Sequence, residues 1–280
     1  NHYYMVKMLK DPEQVPWANS VNMVFPNQDD RGTHMNVSGM ALTKHAPNRA
    51  DAIKLMAVVN SVTLDSTGVP KKTSGSRAAI EASGPRTYTL TVGEEKIDLS
   101  QKNLGSADVA LVAAWLQRPE VSAAVEALAV GANPIGTEGG HILAEAIKSS
   151  NLKTIDIGKP LPLQGKYESD TADLADSTHR AYGRMSGMGP GQVVILAWWL
   201  TTDAAAEITS ANLLHNPLGE GVHEIIEVFE QKEQLRTLCG FEEGIKEIDW
   251  KDSEKGPTEI LLLAADLRAC RAIAVVASIR

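Results

Sequence analysis

Reactive and aromatic side chains are scarce in this chain of 280 residues. It has two cysteines, Cys239 and Cys270, with neither a CxxC pair nor a metal-ligand spacing. That excludes zinc and redox motifs and predicts two buried, reduced thiols, although spacing alone leaves a disulfide open. Aromatic residues make up 5%, so the core falls to Leu, Ile, Val and Ala within a hydrophobic share of 43%. Positive charge is also short: 27 Lys and Arg face 35 Asp and Glu, a net charge of −8. A chain of that sign does not bind nucleic acid through its phosphate backbone. No apolar stretch reaches the ~18 residues of a membrane-spanning helix. Nucleophile elbow, catalytic Cys–His pairing and dinucleotide fingerprint are all missing, and the glycines between Gly183 and Gly191 lack the Gly-Lys-Ser/Thr of a phosphate loop. These absences exclude the common enzyme classes and predict a non-enzymatic chain.

What the chain does have is an internal repeat. Gly105 to Gly158 reads as a copy of Gly189 to Gly240. Gly105, Val109, Trp115 and Leu116 match Gly189, Val193, Trp199 and Leu200. Asn133-Pro134-Ile135-Gly136 matches Asn216-Pro217-Leu218-Gly219, and Glu138, Gly139 and His141 match Glu220, Gly221 and His223. A third, shorter copy starts at Gly256. Similarity at a fixed period is the mark of stacked units. Each unit predicts a short strand, a turn and an amphipathic helix, with Val109, Val112, Ala113 and Leu116 on one helical face. Short strands are expected at Leu128–Val130, Leu152–Ile157, Ala211–Leu213 and Ile248–Trp250, and also at Thr87–Val92 and Lys96–Leu99. Val58 to Leu64 resembles Ala274 to Ile279, so the register is expected to begin near Ala57. Lys159 to Arg184 breaks the rhythm and reads as a long loop or a degenerate unit.

The pattern apolar-x-apolar-x-x-Asn-x-apolar-Gly has a direct physical reading. The apolar residues point inward, and the side chains of Asn133 and Asn216 bond backbone groups at a tight turn that would otherwise be buried and unpaired. On these residues, and on Ile97-Asp98-Leu99-Ser100-Gln101-Lys102-Asn103-Leu104-Gly105, the chain resembles the leucine-rich repeat family in its ribonuclease-inhibitor-like form, over about residues 57–280. The resemblance implies an α/β solenoid with short parallel strands on a concave face and helices outside. It implies a cytoplasmic binding scaffold for a protein partner. The candidate partner-facing row is Glu126 and Ala129, Lys153 and Asp156, Asn212, and Lys246 with Asp249. With the chain this acidic, the expected partner carries a basic patch. The matched histidines, His141 and His223, are expected to bond helix ends, and Trp198 and Trp199 to pack. The third copy stops at Arg280 before its turn, and both ends read as cut. An apolar edge is therefore expected near Leu261, Leu267 and Val275, with self-association through uncapped repeat ends.

Residues 1–56 stand outside the repeat. They carry Asn1-His2-Tyr3-Tyr4, Phe25-Pro26-Asn27-Gln28, Arg31-Gly32-Thr33-His34-Met35-Asn36-Val37-Ser38-Gly39, Lys44-His45-Ala46-Pro47-Asn48 and Asp51-Ala52-Ile53-Lys54-Leu55. This string resembles the later part of a periplasmic ferric-iron-binding protein, a solute-binding component of ABC importers. The resemblance implies a small α/β remnant of one lobe, with Tyr3 and Tyr4 supplying phenolate ligands to Fe3+. Phenolate is a hard oxygen ligand that suits a highly charged cation. The remaining ligands of the family have no counterpart after Asn1. The two resemblances meet abruptly, one ending in a helix at Leu55 and the other entering mid-unit at Ala57.

Overall fold

Short apolar triplets and longer apolar runs alternate along the chain, and they fold as strands and helices. The computed structural model describes residues 60–68, 86–175, 188–251 and 255–280. The chain divides into two compact units, Asn1–Ser38 and Gly39–Arg280, and every described residue belongs to the second. Residues 1–59, 69–85, 176–187 and 252–254 lie outside the described residues.

The first two strands are two-faced. In β1 (Ser61–Asp65) and β2 (Thr87–Thr91), Val62, Leu64, Tyr88 and Leu90 point into the core. The alternate residues carry hydroxyls, and Ser61 pairs with Thr91, and Thr63 with Thr89, across the strands at 3.2 and 2.9 Å. The pair is an antiparallel hairpin. This corrects the expectation that Val58 to Leu64 is a repeat strand like Ala274 to Ile279. The corresponding later strand, β10 (Ser278–Ile279), pairs parallel with β9 (Glu247–Ile248). Strict alternation with matched hydroxyl pairs selects the hairpin partner instead.

A four-stranded sheet follows, ordered β3 (Lys96–Asp98), β4 (Ala127–Ala129), β5 (Thr154–Asp156), β6 (Pro160–Pro162). The first three are parallel, and their central residues Ile97, Leu128 and Ile155 are in register and buried. β6 turns back antiparallel on β5, with Leu161 opposite Ile155. Two prolines are compatible with β6 because it is the sheet's edge and needs few ladder donors. A parallel pair, β7 (Thr171–Asp173) with β8 (Ser210–Asn212), completes the strands. The stretch Lys159 to Arg184 therefore holds two strands, β6 and β7, where a structureless loop was one expectation.

Two kinds of helix alternate. In α1 (Ser106–Leu116) and α4 (Pro190–Leu200) nearly every residue is apolar, and nine of the eleven in each are buried. That corrects the expectation of one apolar face, because helices apolar all round are buried all round. A short α2 (Pro119–Ser122) follows α1. α3 (Gly136–Lys148) and α5 (Val222–Gln231) are amphipathic and bury Leu143, Ala146 and Ile147, and Ile225, Ile226 and Phe229. α6 (Pro257–Ala269) buries Leu262, Leu263, Ala265 and Asp266. α1 packs on α3, α3 on α4, α4 on α5 and α5 on α6. Each of α1, α4 and α6 starts after a glycine whose N–H donates to a side chain three residues on: Gly105 to Asp108, Gly189 to Gln192 and Gly256 to Glu259. A carboxylate or amide there satisfies a helix-end donor that has no backbone partner. The described residues are thus a mixed α/β assembly of one four-stranded and three two-stranded sheets.

Candidate functional site

The two asparagines of the repeat make matching bonds. Asn133 Nδ2 donates to the carbonyls of Leu99, Val130 and Gly131, and its Oδ1 accepts from Leu104 N at 3.0 Å. Asn216 Nδ2 donates to the carbonyls of Leu174, Leu213 and Leu214, and its Oδ1 accepts from Met188 N at 2.8 Å. Both side chains are buried. Each amide therefore bonds its own turn, three and two residues back, and the preceding coil. Leaving those groups dry and unpaired would cost roughly 1–3 kcal/mol.

The predicted partner-facing residues fall into three groups, one per sheet. Glu126, Ala129, Lys153 and Asp156 lie side by side on β4 and β5 or one residue before them, and Lys153 Nζ pairs with Glu126 Oε1 at 2.5 Å. Asn212 lies on β8, opposite Asp173 of β7. Lys246 and Asp249 flank β9. The structure also supplies a role for three of them that spacing did not suggest. Asp156 Oδ1 accepts from Gly158 N, Asn212 Oδ1 from Leu214 N and Asp249 Oδ1 from Lys251 N, at 2.8, 3.2 and 3.0 Å. Asp98 and Asp173 do the same with Ser100 N and Ala175 N. Each closes the turn after its strand. The signal was present in the sequence as a recurring triplet, apolar–Asp/Asn–apolar: Ile97-Asp98-Leu99, Ile155-Asp156-Ile157, Ala172-Asp173-Leu174, Ala211-Asn212-Leu213, Ile248-Asp249-Trp250. The flanking residues Ile97, Ile155, Ala172, Ala211 and Ile248 are buried, so the central Asp or Asn points to the opposite side. The outcome is a carboxylate or amide at the end of five strands, half-buried or exposed.

Other expected residues take different places. His141 does not bond a helix end. It stands on the exposed side of α3, and its Nε2 lies 3.3 Å from Glu224 Oε1 on α5. Between these two helices an open groove of about 750 Å³ runs over α4, lined by Val194, Trp198, Thr201 and Val228. Trp199 is buried, with its Nε1 donating to Pro162 O at 2.6 Å, whereas Trp198 is only half-buried. Cys239 is buried as expected, but Cys270 is exposed at the end of α6. Burial pushes the Cys239 thiol up, and the nearby Asp266 carboxylate adds to the shift. Asp266 is itself fully buried and accepts from Thr237 Oγ1, Leu238 N and Cys239 N. Burial raises its carboxyl above the ordinary value, and those donors oppose the shift. A second buried carboxylate, Asp108, accepts from Thr67 N, Thr67 Oγ1, Gly105 N and Tyr88 Oη. Neither acid opens to a site, and both join backbone segments.

Tyr3 and Tyr4, the residues implied as iron ligands, lie outside the described residues. Among the described residues no cluster of three His, Cys, Asp or Glu side chains could hold a metal ion. No helix among them is long and apolar enough to cross a membrane.

No known protein family matches the chain as a whole. About a fifth of it is similar to proteins of iron uptake. These are Iron uptake protein A1 of Synechocystis sp. (strain ATCC 27184 / PCC 6803 / Kazusa), 50% identical over 58 residues, and Iron uptake protein A2 of the same organism, 40% identical over 65 residues. The matches cover 20% and 22% of this chain and 16% and 19% of the two relatives, so the chain spans less than a fifth of either.

Proposed function

We propose that the chain joins two parts with separate roles: a segment akin to the ferric-iron-binding component of an importer, and a repeat-built, non-enzymatic binding scaffold. The iron reading has the support of named relatives, and is the better supported of the two for that reason. Its carriers are Tyr3 and Tyr4, with Fe3+ as cargo. Titration of the whole chain with a ferric chelate tests it.

The scaffold reading covers residues 57–280 and takes those after the β1–β2 hairpin as leucine-rich repeats of a solenoid. The observation that carries it is the matched bonding of Asn133 and Asn216, in which each amide bonds its own turn and the preceding coil. Such units present one row of side chains per strand. Here the row ends in Asp98, Asp156, Asp173, Asn212 and Asp249, with Glu126, Lys153 and Lys246 beside it. A row that carries a carboxylate at four of six strand-end positions, with Ala129 and Asn212 at the other two, favours a protein partner with a basic patch, whose association slows as salt rises. Charge reversal at Asp156 and Asp249 together should cut retention of such a partner at least tenfold, a loss of about 1.4 kcal/mol or more. Equal recovery of the same partners by parent and double variant, both with unchanged circular dichroism, would sink the assignment.

A further inference from the structure

The apolar edge expected near Leu261 and Val275 is present among the described residues, whereas Leu267 is partly buried against the core. A more enclosed surface lies among the helices. The starts of α3 and α5 are bridged: Thr137 Oγ1 donates to Glu220 Oε1, just before α5, at 3.2 Å, and His141 Nε2 lies 3.3 Å from Glu224 Oε1. From there the groove over α4 runs on to Lys148 and Val228, with Trp198 on its floor. Its walls are fixed by close packing on α4 that needs glycine. A Cβ on Gly140 would lie 2.4 Å from Gly191 O, and one on Gly221 would lie 2.4 Å from Val193 Cγ1. The groove is therefore formed before any ligand arrives, which lowers the cost of binding.

Trp198 sets this groove apart. Counted from the leading glycines, its place is taken by Ala114 in α1 and by Ala265 in α6, so the packing of a unit does not require an aromatic there. The other described tryptophans have partners on the ring. The Arg118 guanidinium lies 4.5 Å from the centre of Trp115, the Lys255 ammonium lies 5.1 Å from that of Trp250, and Tyr167 meets Trp199 edge-on at 5.5 Å. Trp198 has no such ring partner among the described residues. It is half-buried and gives the rest of its surface to the groove.

Charge narrows the occupant. The rim carries Glu145 and Glu224 against Lys148 alone. Lys148 bonds Glu145 at 2.8 Å, one turn away on α3, so Glu224 is the carboxylate of the rim without a Lys or Arg partner among the described residues. An indole ring and a carboxylate together select a guanidinium, which stacks on the one and donates two parallel bonds to the other. A quaternary ammonium has no N–H to donate, and a primary ammonium has no plane to stack. Ile142 on the α3 side and Val228 on the α5 side add apolar wall for aliphatic residues beside the arginine. We propose that the groove binds an arginine-bearing apolar segment of a partner protein, with its guanidinium between Trp198 and Glu224. The proposal rests on the scaffold reading and adds to it a surface on the helices, distinct from the strand-end row.

A fluorescein-labelled peptide, Gly-Leu-Arg-Leu-Gly, titrated into the full chain and followed by anisotropy, tests it. The titration is run at about pH 8, where an ordinary imidazole is neutral and does not compete for the carboxylate. Saturable binding is expected, weakened at least about tenfold by Trp198→Ala, by Glu224→Gln, and by citrulline in place of the peptide's arginine. Alanine stands at the equivalent place in α1 and α6, and the Glu224 side chain is partly exposed, so both variants should keep the parent's circular dichroism. The citrulline peptide reads the cation without altering the chain. Absence of saturable binding to the folded chain overturns the proposal, as does binding indifferent to both substitutions. Equal binding of the citrulline peptide would give the groove to any apolar segment, and equal binding of a lysine peptide would overturn the choice of guanidinium. None of these failures touches the strand-end row, whose charge-reversal test at Asp156 and Asp249 is separate.

Discussion

Single side chains hold the turns of this protein, and their cost can be measured. Asn133→Ala and Asn216→Ala should each destabilise by roughly 1–3 kcal/mol, because each leaves several buried backbone groups without a partner. Denaturant midpoints at constant slope check this, and a loss under about 0.5 kcal/mol for both would contradict it. The two cysteines should differ in reactivity. Thiolate is the nucleophile, and burial beside Asp266 pushes Cys239 up, so native protein should consume one equivalent of a thiol reagent, at Cys270. A second equivalent should appear only on unfolding. Two native equivalents would show that the segment 237–239 opens readily. The asparagines were legible in the sequence because they recur in the same turn motif. The long-range bonds of Asp108 to Thr67, 41 positions away, and of Asp266 to residues 237–239, 27 to 29 positions away, were not, because no local pattern spans such a distance.

Elements were legible where the period of the apolar residues matched a single face. α3 and α5 have such a face, and the strands at Ile97, Leu128, Ile155 and Ala211 lie within two residues of their expected places. α1 and α4 misled because a run of apolar residues fits any face, and only packing on more than one side distinguishes a buried helix. β6 was hidden by its prolines, which an edge strand tolerates. The starts of α4 and α6 differ in what their capping side chains do. Gln192 Oε1 accepts from Gly189 N, while its Nε2 donates to Val130 O and Asn133 O at 3.2 and 2.8 Å. Glu259 is given only the first kind of bond, from Gly256 N. Gln192→Ala should therefore cost about 2 kcal/mol and Glu259→Ala about 0.5 kcal/mol. Equal thermal shifts for the two variants would show that the link from α4 to the Asn133 turn contributes nothing.

At the scale of the whole molecule, the proposed iron ligands Tyr3 and Tyr4 lie outside the described residues. The similarity to the iron uptake proteins covers about a fifth of the sequence, a span of 58 to 65 residues, close to the length of the segment that carries Tyr3 and Tyr4. Among the described residues four aspartates close strand ends and two, Asp108 and Asp266, are buried against backbone, with no three-ligand cluster. On the proposed iron reading Tyr3 and Tyr4 supply two phenolates, hard oxygen ligands that suit a high-charge cation. The measurement that tests this reading most directly is a ferric chelate titration of the full chain, read in the visible for tyrosinate-to-iron charge transfer. The account predicts a band that disappears when Tyr3→Phe and Tyr4→Phe are combined. A band that survives the double substitution would place iron elsewhere in the chain, and no band at all would remove iron from its function.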